Sequence, residues 1–317
     1  MKKRIVLALG GNALQKNGEV TAEAQKAVAM KVGETIAKIS DKYEIIITHG
    51  NGPQIGNIML HEEKGHSEAA PAMPLETAVA MSQGQIGYWL TQAIDNAFIK
   101  QGINKKTATI VTQIVVDKND PAFDDPTKPI GQFYNEKTAK RLARLKGWTV
   151  KEDAGRGWRR VVPSPLPKDI IETEQITNLV KAGIIVVAAG GGGVPVYRTK
   201  VRGKLKGVDA VIDKDFASEK LAELTNADIF ISLTAVPNAY INFGKPNQTA
   251  LGLLSPEIAE EYIKQGYFAA GSMLPKMQGT TDFAKSGKGR IGIITNFAKL
   301  EKALEGKTGT IIKKISE

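Results

Sequence analysis

Apolar residues occur along this chain in two arrangements, short runs almost without polar interruption and longer stretches where they recur every three or four positions. The short runs are Arg4–Leu9, Glu44–Thr48, Thr107–Val116, Ile184–Ala188 and Asp228–Thr234, with 290–295 and 308–313 expected to close the sheet they form. Runs this short and this apolar read as strands covered on both faces, the habit of a parallel sheet. The longer stretches read as helices. Residues 22–41 carry Ala24, Ala27, Val28, Val32, Ile36 and Ile39 at helical spacing. From Pro74 to Gly102, Leu75, Val79, Ile86, Trp89, Leu90, Ile94 and Phe98 lie on or near one stripe, which suits either the core or a subunit contact. Strand, helix and strand follow one another between Arg4 and Thr48 as a β-α-β unit. The predicted class is therefore α/β, with an open and mainly parallel sheet.

The pattern breaks between 117 and 168. Pro121, Pro126, Pro129, Pro163, Pro165 and Pro167 fall there, with two of the three tryptophans. An irregular inserted flap around a small helix at 136–146 fits better than continued sheet. Lys128 stands two residues after Pro126 and directly before Pro129 in this flap. A lone loop lysine is ordinarily just solvated, but a lid would need such a cation to reach a substrate.

Several of the predicted strands finish in glycine or in charge. The first runs into Gly10-Gly11-Asn12, and the second into His49-Gly50-Asn51-Gly52-Pro53, with the proline suited to a helix start. Backbone amides freed by glycine at a helix start favour a phosphate. Either loop alone could be a plain turn; the pair is more specific. Gly190–Gly193 ends another strand. At 207–215 a β-branched run is predicted as a strand that stops in Asp213-Lys214-Asp215 before a helix. That is where an open α/β sheet holds its ligand, although either aspartate could simply cap the helix. Gly271-Ser-Met273-Leu-Pro275-Lys276 marks a further helix start, and Ala235–Tyr240 after the strand at 228–234 offers an apolar edge for a purine.

Composition narrows the partners. The net charge of +10 is spread along the chain and aromatics are only 6%, so no basic stripe interleaved with stacking residues points to nucleic acid. With no cysteine, thiol nucleophiles, thiolate metal sites and disulfides are all excluded. His61 and His66 have the wrong spacing for a zinc helix, and no glycine loop has the Walker A form. No apolar run approaches the roughly 18 residues of a membrane span, and a cytoplasmic location is expected.

Six segments in order, Gly10–Leu14, His49–Gln54, Asp125–Gly131, Arg156–Pro165, Val208–Ala217 and Gly271–Lys276, resemble the carbamate kinases of the amino acid kinase family over essentially the full length. The resemblance implies one open α/β/α sandwich across 1–317. Within it, residues 1–200 would form the acceptor lobe with a protruding subdomain at about 117–168, and 201–317 the nucleotide lobe. It also implies reversible phosphoryl transfer between ATP and carbamate, giving ADP and carbamoyl phosphate, used in arginine fermentation to make ATP. Magnesium would be held by the nucleotide phosphates with no ligand from the protein, and the chain would form a homodimer. By the same resemblance Lys214 and Lys276 stabilise the transferred group, Asp215 orients them, and Lys128 closes over the acceptor. Gly10, Gly11, Asn12, Gly50, Asn51 and Gly52 would hold the acceptor phosphate. Thr234, Ala235, Val236, Tyr240, Met273 and Pro275 would line the nucleotide. Ala8 stands where many other members of the family carry a lysine, which argues against acetylglutamate kinase and aspartokinase. A kinase for another small acid or phosphate is the enzymatic alternative, and a nucleotide sensor without turnover the other.

Overall fold

The β-α-β unit read from the first fifty residues is present in the computed structural model, which describes residues 2–10, 19, 21–153 and 155–315. Strand β1 (Lys3–Leu9) pairs in parallel with β2 (Tyr43–His49) across helix α1 (Ala22–Ile39), whose first turn is capped by the Thr21 side chain. Helices α2 (Gly52–Gly65) and α3 (Leu75–Gln101) lead to β3 (Thr107–Thr109) and β4 (Gln113–Val116). The flap holds β5 (Lys128–Tyr134), α4 (Glu136–Lys146), β6 (Thr149–Glu152) and β7 (Trp158–Val162). The chain leaves it through β8 (Pro167–Ile170), then α5 (Thr173–Lys181), β9 (Ile185–Val187), β10 (Val194–Arg198) and β11 (Leu205–Gly207). Helix α6 (Lys214–Leu224) and β12 (Ile229–Thr234) precede a small hairpin, β13 (Tyr240–Ile241) and β14 (Thr249–Ala250). The C-terminal part adds β15 (Leu253–Leu254), α7 (Pro256–Lys264), α8 (Met273–Lys285), β16 (Ile291–Asn296), α9 (Leu300–Leu304) and β17 (Thr310–Ile312).

Among the described residues the large sheet has eight strands in the order β15-β17-β16-β12-β1-β2-β9-β3, parallel except between β16 and β17. Alternate residues of each central strand face opposite helical layers. Ile5, Leu7 and Leu9 meet Ile36 of α1 and Ile86, Leu90 and Phe98 of α3, while Val6, Ala8 and Ile46 meet Ile176, Leu221 and Phe283 on the other side. This is the three-layer sandwich. Truncating one such wholly buried side chain costs about 2–5 kcal/mol, so helices and sheet act as one body. The apolar stripe of α3 is spent on this core rather than on a partner. Met81, Tyr88 and Ile99 remain exposed on the other side of that helix.

Four expectations are corrected. The run 107–116 divides, β3 joining the large sheet and β4 a second sheet ordered β11-β10-β4-β8. The cause is Gln83 of α3: its side chain accepts from Thr112 N at 2.9 Å and donates to Thr112 O at 3.2 Å, drawing the backbone out of the first ladder. The flap is not irregular, for β5, β7 and β6 form an antiparallel sheet beside α4. Residues 208–212 form no strand. They run along the flap instead, with Val211 N bonded to Pro163 O; Pro163 and Pro165 have no N–H to return, so a ladder cannot grow. Lastly, β17 is not the edge of the sheet, because β15 pairs beyond it.

Candidate active site

Neighbouring strands β12, β1, β2 and β9 all end on the same side, delivering Thr234, Gly10, Gly50 and the 190–193 glycines to one rim. Gly11 and Asn12 lie outside the described residues. The amide of Asn51 donates to Ser82 Oγ at 2.8 Å and lies against Gly191. A Cβ on Gly191 would come within 2.1 Å of Asn51 Nδ2, and its φ of +64° is left-handed, so glycine is required there. His49 is buried behind this loop, its Nδ1 3.0 Å from Gly50 O. A carbonyl only accepts, so that nitrogen carries the proton. Burial pushes the His49 pKa down to about 4; the bond to Gly50 opposes this and the Lys214 charge adds to it. The imidazole is thus a neutral strut beneath the loop.

Across the rim, Asp213 caps α6, its Oδ1 accepting Asp215 N–H at 2.9 Å. The first turn is tied to β2, because Ser218 Oγ donates to Lys214 O at 2.7 Å and lies 2.5 Å from Thr48 Oγ1. Asp215 collects three groups: Lys276 Nζ at 2.8 Å, Ser232 Oγ at 2.9 Å and Lys214 Nζ at 3.3 Å. Burial would raise its pKa, but the two ammonium groups and their bonds hold it well below the usual carboxylate range. The Lys214 ammonium is buried as well, on a side chain that is 12% exposed. Burial, opposed by Asp215 and assisted by the Lys276 charge, lowers its pKa to about 8. Its Nζ reaches no acceptor in hydrogen-bond geometry among the described residues. Lys128 comes in from the flap and pairs with Asp213 Oδ2 at 2.6 Å.

Two clefts meet at Lys128 and Lys214. One, of about 610 Å³, lies between the Gly50–Gly52 loop with α2 and the flap, and reaches Phe133 and Arg159. The other, of about 540 Å³, contains Asp213, Asp215, Thr234, Ala235, Pro275 and Lys276, and also Gly10, which was expected on the acceptor side and does not line the first cleft. Lys128, Lys214 and Gly271 line both. Val236, Tyr240 and Met273 are not among the residues lining either cleft. Asn296, Phe297 and Ala298, which the sequence reading passed over, line the second. The end of the 290–295 run was the signal for them, as one more strand leaving the sheet on this side. His49 and the Lys128–Asp213 pair were likewise not foreseen. No group of three or more acidic, histidine or cysteine side chains that could hold a metal occurs among the described residues. The arrangement can bind an anion on either side and neutralise charge passing between them.

Comparison with known proteins agrees with this geometry. The profile of the amino acid kinase family matches residues 3–295. Carbamate kinase of Pyrococcus horikoshii is 54% identical over 313 residues, covering 98% of this chain and 99% of its own. Carbamate kinase of Clostridium perfringens is 48% identical over 315 residues, covering 98% and 100%. Among solved structures, carbamate kinase from Giardia lamblia bound to AMP-PNP has a TM-score of 0.92 at 41% identity, with 99% of both chains covered. On its sequence and its fold, the chain belongs to the amino acid kinase family.

Proposed function

We propose that the protein is a carbamate kinase, moving a phosphoryl group reversibly between ATP and carbamate to give ADP and carbamoyl phosphate. The observation that carries this reading is the buried Lys214 ammonium, with unspent donors, where two clefts meet. Asp215 gives this ammonium an ion pair at 3.3 Å but no hydrogen bond in good geometry, so donors remain for an arriving anion. Phosphoryl transfer needs positioning and charge neutralisation more than covalent help. Lys214 and Lys276 would neutralise the transferred group, Asp215 would aim both, and Lys128 would cover the acceptor side. Carbamate is already an anion, so no general base is required.

Residues 1–200, including the flap at about 117–168, would take the acceptor, and 201–317 the nucleotide. The strand order favours this division, since β12, β16, β17 and β15 lie on one side of β1 and β2, β9 and β3 on the other. AMP-PNP in the Giardia lamblia relative supports nucleotide use. The Gly50–Gly52 amides would hold the acceptor phosphate, and Thr234, Ala235 and Pro275 the nucleotide. Asp213 and Asp215 are both engaged by lysines, which leaves magnesium to the nucleotide phosphates, where it would neutralise and orient them.

A cytoplasmic enzyme making ATP in arginine fermentation is the physiological setting we infer. No helix among the described residues is long and apolar enough to cross a membrane. A homodimer would cover Met81, Tyr88 and Ile99, which are 44%, 51% and 79% exposed and recur on one line of α3. Light scattering is expected to give about twice the 34.1 kDa chain mass, and a monomer alone would contradict the dimer. The function itself is tested by ³¹P NMR of ADP, magnesium and carbamoyl phosphate, with acetyl phosphate beside it. ATP forming preferentially from carbamoyl phosphate supports the assignment; no ATP, or acetyl phosphate used as well, overturns it.

A further inference from the structure

The Lys128 ammonium and the N-terminus of α6 share one carboxylate. Asp213 Oδ2 accepts from Lys128 Nζ at 2.6 Å, and Asp213 Oδ1 accepts from Asp215 N–H at 2.9 Å. One oxygen therefore holds the flap and the other holds the helix turn that carries Lys214 and Asp215. The two side chains are 33% and 19% exposed, partly shielded from solvent, which strengthens the contact relative to an open surface pair. Asp213 lines the second cleft, and Lys128 lines both. The extended segment before α6 adds two flap contacts at alternate positions, Arg160 with Asp209 Oδ2 at 2.8 Å and Val211 N with Pro163 O at 3.0 Å. Asp213 is thus the last of three anchors along this seam, and the one nearest the chemistry.

We propose that Asp213 is a positioning residue for the transfer: it fixes the Lys128 ammonium at the mouth shared by the two clefts, in register with Lys214 and Asp215. The proposal rests on the reading of Lys128 as a group that faces the transferred phosphoryl. A lysine has four rotatable side-chain bonds, and a carboxylate that is itself fixed by a helix cap selects one placement among many. Pro129 already restricts the backbone beside Lys128, so what remains to be fixed is the side chain.

Capping and positioning can be separated by substitution. Asn and Ser both cap helices well, and neither forms an ion pair with an ammonium group. Turnover of ADP with carbamoyl phosphate is measured for Asp213→Asn and Asp213→Ser, each alone and combined with Lys128→Ala, at a temperature where circular dichroism shows all variants folded. Each single Asp213 variant is expected to lose about tenfold in kcat with the KM for ADP within about twofold, and the same substitution in the Lys128→Ala background to change kcat by less than about twofold. A loss that persists undiminished in a crippled Lys128→Ala enzyme overturns the proposal and leaves the reading of Lys128 standing. Unchanged or increased kcat in both single Asp213 variants also overturns it. Wild-type turnover in Lys128→Ala itself would remove both the proposal and the reading beneath it.

Discussion

Asp215→Asn removes the charge that two buried ammonium groups share while preserving shape and the contact from Ser232. The consequence can be worked from the geometry. Lys214 Nζ lies 3.3 Å from Asp215 Oδ1. At an effective dielectric of about 20 that attraction is worth about 5 kcal/mol, and about 1.4 kcal/mol corresponds to one pKa unit. Lys214 has a pKa of about 8 with the carboxylate in place. Without it the midpoint falls well below 7, and at neutral pH the lysine is mostly uncharged. Loss of a transition-state charge partner lowers turnover by about 10²–10³. Stability falls too, by up to about 3–5 kcal/mol where the lysines stay charged, and less where Lys214 sheds its proton. The assay is coupled ATP formation from ADP and carbamoyl phosphate between pH 5.5 and 8.5, with urea denaturation alongside. Wild-type kcat/KM is expected to decline on the alkaline side with a midpoint near 8, where Lys214 loses its proton in the free enzyme. The variant's deficit should shrink as the pH falls and Lys214 recharges. Turnover within threefold of wild type at pH 7, or a deficit that does not vary with pH, would refute the electrostatic reasoning.

Two further predictions concern buried titrating groups whose effects on stability have opposite signs. His49 has its pKa lowered from 6.5 to about 4, so as pH falls through that window the unfolded chain takes a proton and the native one does not. Stability should fall by about 3 kcal/mol from pH 7 to pH 4 on this account, and His49→Gln should remove that slope from the urea midpoints; an unaltered slope would clear His49 of the effect. Glu219 is only 9% exposed, makes no hydrogen bond or ion pair among the described residues, and is pushed up from 4.5 to about 7 by burial. Its folded pKa is raised, so the native state is favoured below 4.5 and loses that advantage as pH rises through 7. Glu219→Gln should therefore stabilise by up to about 3 kcal/mol at pH 8 and little at pH 4.5, and equal melting temperatures at pH 8 would contradict it.

What could be read from the sequence was what depends on local pattern. The runs at β1, β2 and β12 are apolar on both faces and could only be central strands, and their glycine or polar ends marked the rim. Helix α4 was legible as a small helix at 136–146, and Asp213 as one of two possible caps from its place before α6. What failed depends on long-range partners. Nothing in 107–116 announces that Gln83, on a different helix, divides the run at Thr112. The 208–212 run has strand composition, but prolines in the facing segment deny it a ladder. Within the site, Asp213 reads locally as a cap, and only the fold brings Lys128 to its second oxygen. His49 looked like part of a loop because its burial is imposed by the 190–193 glycines, which arrive from far along the chain.

The central claim is that acceptor and nucleotide occupy separate clefts that meet at Lys128 and Lys214, with Lys276 on the nucleotide side and Lys128 serving the acceptor. Calorimetric titration of Lys128→Ala with ADP, set beside its KM and kcat for carbamoyl phosphate, tests this most directly. The account predicts ADP affinity within about threefold of wild type, together with a raised KM for carbamoyl phosphate and turnover lowered by a factor on the order of 10². ADP affinity falling as far as turnover does would place this lysine on the nucleotide and contradict the assignment of the two clefts.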